Sequence, residues 1–259
     1  MFELSGEGDS SAMTACLVLH GLGGGPYELG PVIEALRAAG FRVLAPVLPG
    51  HEGPGPVMPA SSWRDWAATA ESAFDQLASG GKPVAVIGFS TGGTLALRLA
   101  RRRPVERLVL MAPFLAIRYS GLIPLRPAIY LRGLAEVMPN LPRRPPAVRD
   151  PVMRRWAASL SKFRTFSLHA TLSALELIDE VRPLIPEITA PALLIQGQLD
   201  TVVEPLNAVW LHQRLGSTQK ELMKMHKSDH LVALDREREK VIAAALDFLS
   251  VRGQGEASS

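Results

Sequence analysis

Hydrophobic residues along the chain fall into short continuous runs, which alternate with longer segments where apolar residues recur every three or four positions. The short runs predict strands over 15–19, 41–45, 84–87, 107–111, 192–195 and 221–223. The longer segments predict helices over 32–39, 63–77, 94–102 and 242–249. Because the strands are apolar throughout, both faces of the sheet are expected to be buried. The pattern therefore predicts an α/β fold, with a mainly parallel central sheet and helices on both faces.

One long segment breaks this alternation. Residues 114–186 are rich in proline and contain helix-like pieces without clear strands between them. A connection of this length without structure of its own is uncommon unless it has a function. We therefore predict an inserted helical cap over 114–186, on a core formed by 1–113 and 187–259. The cap is also basic, with ten Lys or Arg and two acidic residues between positions 114 and 164.

The residues Gly88-Phe89-Ser90-Thr91-Gly92 form the G-x-S-x-G pattern between a predicted strand and a predicted helix. In this context the pattern is typical of a nucleophile elbow, where a sharp turn exposes a serine hydroxyl above the sheet edge. The elbow identifies Ser90 as the candidate nucleophile. The alternative is a serine that merely occupies a tight turn.

A glycine-rich loop, 20–25, follows the first predicted strand. The backbone N–H groups of Leu22 and Thr91 are candidate donors to the oxyanion of an acyl-transfer reaction. A dinucleotide-binding loop is the alternative, but the G-x-G-x-x-G pattern would require glycine where Pro26 stands. The loop residues His20 and Gly21 are further candidates for contact with substrate.

A serine nucleophile needs a base that is neutral near pH 7, and an acid that orients the base. The chain has six histidines, of which His230, in a polar loop after a predicted strand, is the preferred base. His226 is its rival. Asp200, which follows a strand and a glycine turn, is the preferred acid, with Asp179 as the alternative. The order Ser90, Asp200, His230 is the order in which α/β-hydrolases carry their triad.

With these residues identified, the chain resembles the α/β-hydrolase superfamily, and within it the cytosolic bacterial carboxylesterases and monoacylglycerol lipases. The matching segments are His20-Gly21-Leu22-Gly23-Gly24, Leu48-Pro49-Gly50-His51, Gly88-Phe89-Ser90-Thr91-Gly92-Gly93, Gln196-Gly197-Gln198-Leu199-Asp200 and Ser228-Asp229-His230. The chain departs from the resemblance at Gln196, where histidine is frequent, and at Asp229, where a small residue is frequent.

The resemblance implies a serine hydrolase that cleaves carboxylic esters, such as short-to-medium acyl esters or monoacylglycerols, under a small cap. It implies Ser90 as nucleophile, His230 as base, Asp200 as acid, and Leu22 and Thr91 as oxyanion donors, without cofactor or metal. A thioesterase, lactonase, C–C hydrolase or acyltransferase could use the same residues. A catalytically silent ligand-binding member of the fold is the alternative from another class.

Composition limits the remaining possibilities. A formal net charge of +3 on 259 residues gives no general argument for binding nucleic acid, and a single cysteine excludes an intrachain disulfide. We expect a cytoplasmic monomer or homodimer. Apolar cap residues, including Leu122 and Ile129, could bind an acyl chain or, with the neighbouring arginines, make weak peripheral contact with a membrane. They could equally pack against the core.

Overall fold

The structure is a computed structural model that describes residues 15–116 and 127–250, and the side chains of Pro127 and Ala128 are not included in the description. Its central sheet contains six strands: β1 (Ala15–Leu19), β2 (Arg42–Leu44), β3 (Val84–Phe89), β4 (Val105–Met111), β7 (Ala192–Gly197) and β8 (Lys220–Met225). A separate pair consists of β5 (Asn140–Pro142) and β6 (Thr165–Ser167). The helices are α1 (Gly30–Ala38), α2 (Trp63–Ala78), α3 (Thr91–Arg102), α4 (Pro127–Val137), α5 (Pro151–Leu160), α6 (Leu168–Val181), α7 (Leu206–Arg214) and α8 (Arg238–Ser250).

The central sheet has the strand order β2-β1-β3-β4-β7-β8, and all of its neighbouring strands are parallel. Every residue of β1, β3 and β7 is buried, as the apolar runs 15–19, 84–87 and 192–195 predict. The predicted α/β fold with a mainly parallel sheet is confirmed.

The strand order predicts where a ligand-binding crevice lies at the edge of the sheet. Strand β1 lies between β2 and β3, so the chain turns to opposite sides of the sheet after β1 and after β3. Parallel α/β sheets bind ligands beyond the carboxyl ends of strands at such a reversal. The loop after β1 contains Leu22, and the turn after β3 contains Ser90.

The predicted helix boundaries are partly wrong. Helix α2 begins as predicted, with Ser62 Oγ accepting a hydrogen bond from the Asp65 N–H at 3.3 Å. Helix α3 begins at Thr91, three residues before the prediction, because the turn at Ser90 leads directly into the helix. Gly92 and Gly93, which are poor helix formers, hid this start.

The segment between β4 and β7 contains α4, α5, α6 and the β5–β6 hairpin. Helix α6 packs on α2 and α3 of the core, and the Trp63 N–H donates to Ser173 Oγ at 2.7 Å. The limits of the cap, 114–186, stay a prediction. In the described ranges, no helix is long and apolar enough to cross a membrane.

Candidate active site

The turn after β3 holds Ser90 in a strained backbone conformation, with φ of 52°. Such a conformation costs about 1–3 kcal/mol and is found mainly at functional sites. The flanking glycines explain how the turn forms. A Cβ on Gly88 would overlap the Gly92 carbonyl, and a Cβ on Gly92 would overlap the Leu19 carbonyl. Gly88 therefore lets the turn close tightly on the start of α3, and Gly92 lets α3 approach the end of β1.

His230 lies between Ser90 and Asp200. Its Nε2 is 3.0 Å from Ser90 Oγ, and its Nδ1 is 2.8 Å from Asp200 Oδ2. The carboxylate can only accept at neutral pH, so Nδ1 carries the proton and Nε2 is free to accept from the serine hydroxyl. The structure thus brings together the three residues that the sequence predicts as nucleophile, base and acid.

The Asp200 carboxylate is fully buried, and four donors among the described residues hold it. Oδ1 accepts from the N–H groups of Val202 and Val203, each at 2.8 Å, and Oδ2 accepts from Gln196 Nε2 at 2.9 Å as well as from His230. Burial opposes ionisation, but His230 and the backbone donors outweigh it and hold the pKa of Asp200 below its usual range. Gln196, one of the two departures from the resemblance, therefore supplies a donor to the acid.

Asp229, the other departure, links the loop after β7, which contains Asp200, to the loop after β8, which contains His230. Its Oδ1 accepts from the N–H and the hydroxyl of Thr201 and from the His230 N–H, each at 2.9 Å. Its Oδ2 lies 3.1 Å from Arg149 Nε. The carboxylate is thus bound to backbone groups and to an arginine of the segment between β4 and β7.

Asp235 is fully buried and fixes the base loop from the other side. Its carboxylate accepts from four backbone N–H groups, those of Arg149, Asp150, Asp229 and Arg236, at 2.7–2.9 Å. Two of these donors precede α5 and one precedes His230. Asp235 therefore joins the segment between β4 and β7 to the loop that carries the base.

The loop after β1 is held by two buried histidines. The Gly23 N–H donates to His51 Nε2 at 2.9 Å, and the Leu48 N–H donates to His20 Nε2 at 3.0 Å. Burial and the neighbouring His51 lower the pKa of His20 to about 3, so both rings accept hydrogen bonds as neutral imidazoles. Within the described ranges, the N–H groups of Leu22 and Thr91 donate to no protein acceptor.

A buried carboxyl lies beneath this loop. Glu28 Oε2 accepts from the Gly21 N–H at 3.1 Å, and Arg143, directly after β5, donates to the Gly23 carbonyl. Burial raises the pKa of Glu28 to about 7, although Arg143, the Gly21 N–H and His230 favour its ionised form. The loop is therefore held by a carboxyl from below and by an arginine from the segment between β4 and β7.

A cavity of about 370 Å³ opens beside Ser90. Its walls are mostly apolar side chains of the core and of segment 141–147, together with the residues proposed for catalysis. They are Gly21, Leu22, Glu28, Phe89, Ser90, Thr91, Phe114, Leu141, Pro142, Arg143, Arg144, Pro145, Pro146, Ala147, Phe166, Thr171, Val202, His230 and Leu231.

The candidate substrate contacts are only partly brought to this cavity. Gly21, Leu22 and Thr91 line it. His20 does not, because its ring is turned to the backbone of Gly21 and Leu48. Ile129 on α4 is 55% exposed and lies outside the lining, and Leu122 lies outside the described residues.

Comparison with known proteins gives the family. The family described as serine aminopeptidase, S33, matches residues 10–237, which is most of the chain. The chain belongs to this family.

Two curated relatives and one solved structure are similar to this chain over most of its length. A thermostable monoacylglycerol lipase of Bacillus sp. (strain H-257) is 29% identical, over 90% of this chain and 89% of the lipase. A carboxylesterase of Bacillus subtilis (strain 168) is 22% identical, over 91% of this chain and 92% of the esterase. The crystal structure of Paleococcus ferrophilus monoacylglycerol lipase matches with a TM-score of 0.76 and 25% identity, over 91% of this chain and 93% of that chain. The predicted superfamily, α/β-hydrolase, and the predicted class, a carboxylic ester hydrolase, are confirmed.

Sequence reasoning missed four residues that shape this site: Glu28, His51, Arg143 and Asp235. His51 lies in one of the motifs that carry the resemblance, so its importance was signalled although its partner was not. Arg143 and Asp235 reach the site from distant parts of the chain, whereas Glu28 bonds Gly21 only seven positions away, and no local pattern marks any of the three.

Proposed function

We propose that the protein hydrolyses carboxylic esters through an acyl-enzyme on Ser90, with His230 as general base and Asp200 as its orienting acid. The observation that carries the proposal is the continuous contact from Asp200 Oδ2 through His230 to Ser90 Oγ, at 2.8 and 3.0 Å. A serine hydroxyl becomes nucleophilic when an adjacent base takes its proton.

The reaction proceeds in two halves. Ser90 Oγ attacks the ester carbonyl while His230 Nε2 takes the hydroxyl proton, and the same nitrogen then protonates the leaving alcohol. Water attacks the acyl-enzyme by the same route and releases the acid. In both halves the oxyanion accepts from the N–H groups of Leu22 and Thr91, which have no protein acceptor in the described ranges. The loss of one such donor costs roughly 3 kcal/mol of transition-state stabilisation.

The cap is part of the proposal. Segment 114–186 contributes Leu141, Pro145 and Phe166 to the cavity wall, so it covers the nucleophile with apolar surface. We assign it the binding of the acyl chain. Short-to-medium acyl esters and monoacylglycerols fit this lining, and two of the similar proteins are named as monoacylglycerol lipases.

The family description raises peptidase activity as a second candidate. An aminopeptidase must bind the free ammonium group of its substrate. Among the described residues, the cavity lining contains one carboxyl, that of Glu28, and two arginines, Arg143 and Arg144. This charge balance disfavours an ammonium ligand and favours the ester.

The test is hydrolysis of an ester panel from acetyl to palmitoyl chains, with a monoacylglycerol, an acyl thioester and an amino-acid amide added. We expect ester hydrolysis in wild type and a loss of about 10⁴-fold or more in Ser90→Ala. Ser79→Ala removes an exposed hydroxyl after α2 and is the matched control. Equal ester rates in wild type and Ser90→Ala would refute the proposal, and a preference for the thioester or the amide would reassign the substrate.

A further inference from the structure

A second cavity, of about 650 Å³, adjoins the cavity at Ser90. The two share the segment Arg144-Pro145-Pro146-Ala147 and the side chain of Val202 as lining. The second cavity is completed by Val148, Arg149, Arg154, Thr201 and Asp229. It therefore lies between the cap and the loops that carry Asp200 and His230, next to the cavity proposed to bind the ester.

The lining of this second cavity has a surplus of positive charge, with three arginines and one carboxylate. Asp229 is already paired with Arg149, whose Nε lies 3.1 Å from Asp229 Oδ2. Arg154 Nε donates to the Val148 carbonyl at 2.7 Å, which fixes its stem beside the cavity. Among the described lining residues, the charges of Arg144 and Arg154 thus remain without a counter-charge.

Arg144 has the fewest interactions with the described protein residues among these three arginines. It lines both cavities and is exposed. Its neighbour Arg143 is engaged with the Gly23 carbonyl and with Glu28. Arg144, in contrast, forms no hydrogen bond or ion pair with any described residue. Its guanidinium group is therefore available to a ligand that extends from one cavity into the other.

The chemistry of the two cavities differs in a way that defines a ligand. Apolar walls beside Ser90 suit a hydrocarbon chain, whereas a guanidinium group binds carboxylate or phosphate oxygens through paired, charge-assisted hydrogen bonds. An ester with an anionic group at some distance from its carbonyl would satisfy both.

We propose that the second cavity is an anion subsite, in which Arg144, assisted by Arg154, binds a carboxylate or phosphate group of the ester substrate. The proposal rests on the proposed function, because it assigns the preferred substrate class of the same nucleophile. It makes Arg144 a specificity-determining residue.

The experiment compares kcat/KM for esters matched in chain length. One is the methyl ester of a fatty acid, the second is the methyl monoester of the corresponding dicarboxylic acid, and the third has a terminal phosphate in place of the free carboxylate. We expect wild type to prefer an anionic ester over the neutral ester, and the two anionic esters tell which group the subsite takes. An exposed ion pair corresponds to a factor of up to about five, so Arg144→Gln should lower the anionic-to-neutral ratio about fivefold, mainly through KM.

Two further variants separate charge at the subsite from general surface charge. Arg144→Lys keeps the cation and should retain part of the preference. Arg155→Gln removes an exposed arginine on α5 that lines neither cavity, and it should leave the ratio at the wild-type value. Added salt should reduce the wild-type preference, because screening weakens exposed charge pairs.

The outcomes distinguish this proposal from the proposed function. The subsite is refuted if wild type prefers neither anionic ester, or if Arg144→Gln leaves the anionic-to-neutral ratio of kcat/KM unchanged. In either case, hydrolysis of the neutral ester would still support the proposed esterase activity. If no ester is hydrolysed, calorimetric binding of the two anionic esters to Ser90→Ala and to Ser90→Ala with Arg144→Gln decides the matter. Equal affinities in those two proteins overturn the subsite, and about fivefold weaker binding in the second supports it.

Discussion

The buried carboxyl of Glu28 gives a sharp test of the electrostatics of this site. Glu28 is 5% exposed, and burial raises its pKa from 4.5 to about 7. The change to make is Glu28→Gln, which removes the ionisation. Glutamine keeps an oxygen that can still accept from the Gly21 N–H, now 3.1 Å from Glu28 Oε2. The variant therefore isolates the charge from the hydrogen bond.

The expected magnitude follows from the pKa. Below pH 4.5 the carboxyl is protonated in both the folded and the unfolded state, and above pH 7 it is ionised in both. Between these values the folded state binds more protons, so the free energy of unfolding of wild type falls as the pH rises. The full effect is about 3 kcal/mol, of which roughly 2.5 kcal/mol falls between pH 5 and pH 8. Glu28→Gln lacks this loss.

The measurement is urea unfolding of both proteins at pH 5, 6, 7 and 8, followed by circular dichroism. The difference in free energy of unfolding, variant minus wild type, should increase by about 2.5 kcal/mol over this range. His20, whose pKa is lowered to about 3, also makes stability depend on pH below 6.5, but it does so in both proteins and cancels in the difference. Glu34→Gln, at an exposed carboxyl on α1, is the matched control.

A difference that stays constant from pH 5 to pH 8 would refute the reasoning, because a pH-independent offset reports only the changed contacts of the side chain. A difference that decreases with pH would mean that Arg143 and the backbone donors outweigh burial and stabilise the charge. If the difference in free energy of unfolding increases by the same amount for Glu34→Gln, the effect comes from net charge and not from burial.

Other predictions test how the site is built. Gly92→Ala should prevent folding or lower Tm by several degrees, since its Cβ would overlap carbonyl groups at the end of β1. Gly133→Ala has free space inside α4 and should leave Tm unchanged or raise it, because alanine is the better helix former. Asp235→Ala leaves four backbone N–H groups without an acceptor and should lower the free energy of unfolding, measured in urea, by about 3 kcal/mol or more. Asp247→Ala, at an exposed position, is the control and should change that free energy by about zero. Wild type should co-sediment with anionic vesicles at low salt, and Trp156→Ala, which removes a 39%-exposed aromatic side chain of α5, should co-sediment less. Failure of wild type to co-sediment would exclude membrane docking.

The parts of the fold that the sequence predicts are those encoded by neighbouring residues. Strand β3 and the elbow at Ser90 are contiguous, so an apolar run followed by G-x-S-x-G was sufficient to place both. The loops with Asp200 and His230 each follow a strand, and parallel strands bring such loops to one edge of the sheet. Local pattern and topology together therefore predicted which three residues meet.

Two of the missed residues, Arg143 and Asp235, act across long stretches of chain. Arg143 contacts a loop residue 120 positions away, and Asp235 accepts from a backbone group 86 positions away. Neither contact leaves a periodic or local signal, because it depends on how the segment between β4 and β7 settles on the core. His20 is a predicted substrate contact because it lies in a glycine-rich loop, but in the structure its ring accepts a hydrogen bond from the Leu48 N–H.

The loops around the base use carboxylates to bind backbone N–H groups. Asp200 accepts from two such groups, Asp229 from two and Asp235 from four. Each carboxylate satisfies donors that a buried loop would otherwise leave unpaired, and the donors in turn stabilise its charge. The Asp229 N–H donates to Asp235, and the Asp229 carboxylate accepts from the His230 N–H. A change in either aspartate should therefore disturb His230 as well as its own loop. The orientation of His230 therefore depends on the segment between β4 and β7 through Arg149 and Asp229, so we expect the proposed binding of an acyl chain by this segment to be coupled to the proposed proton transfer at His230.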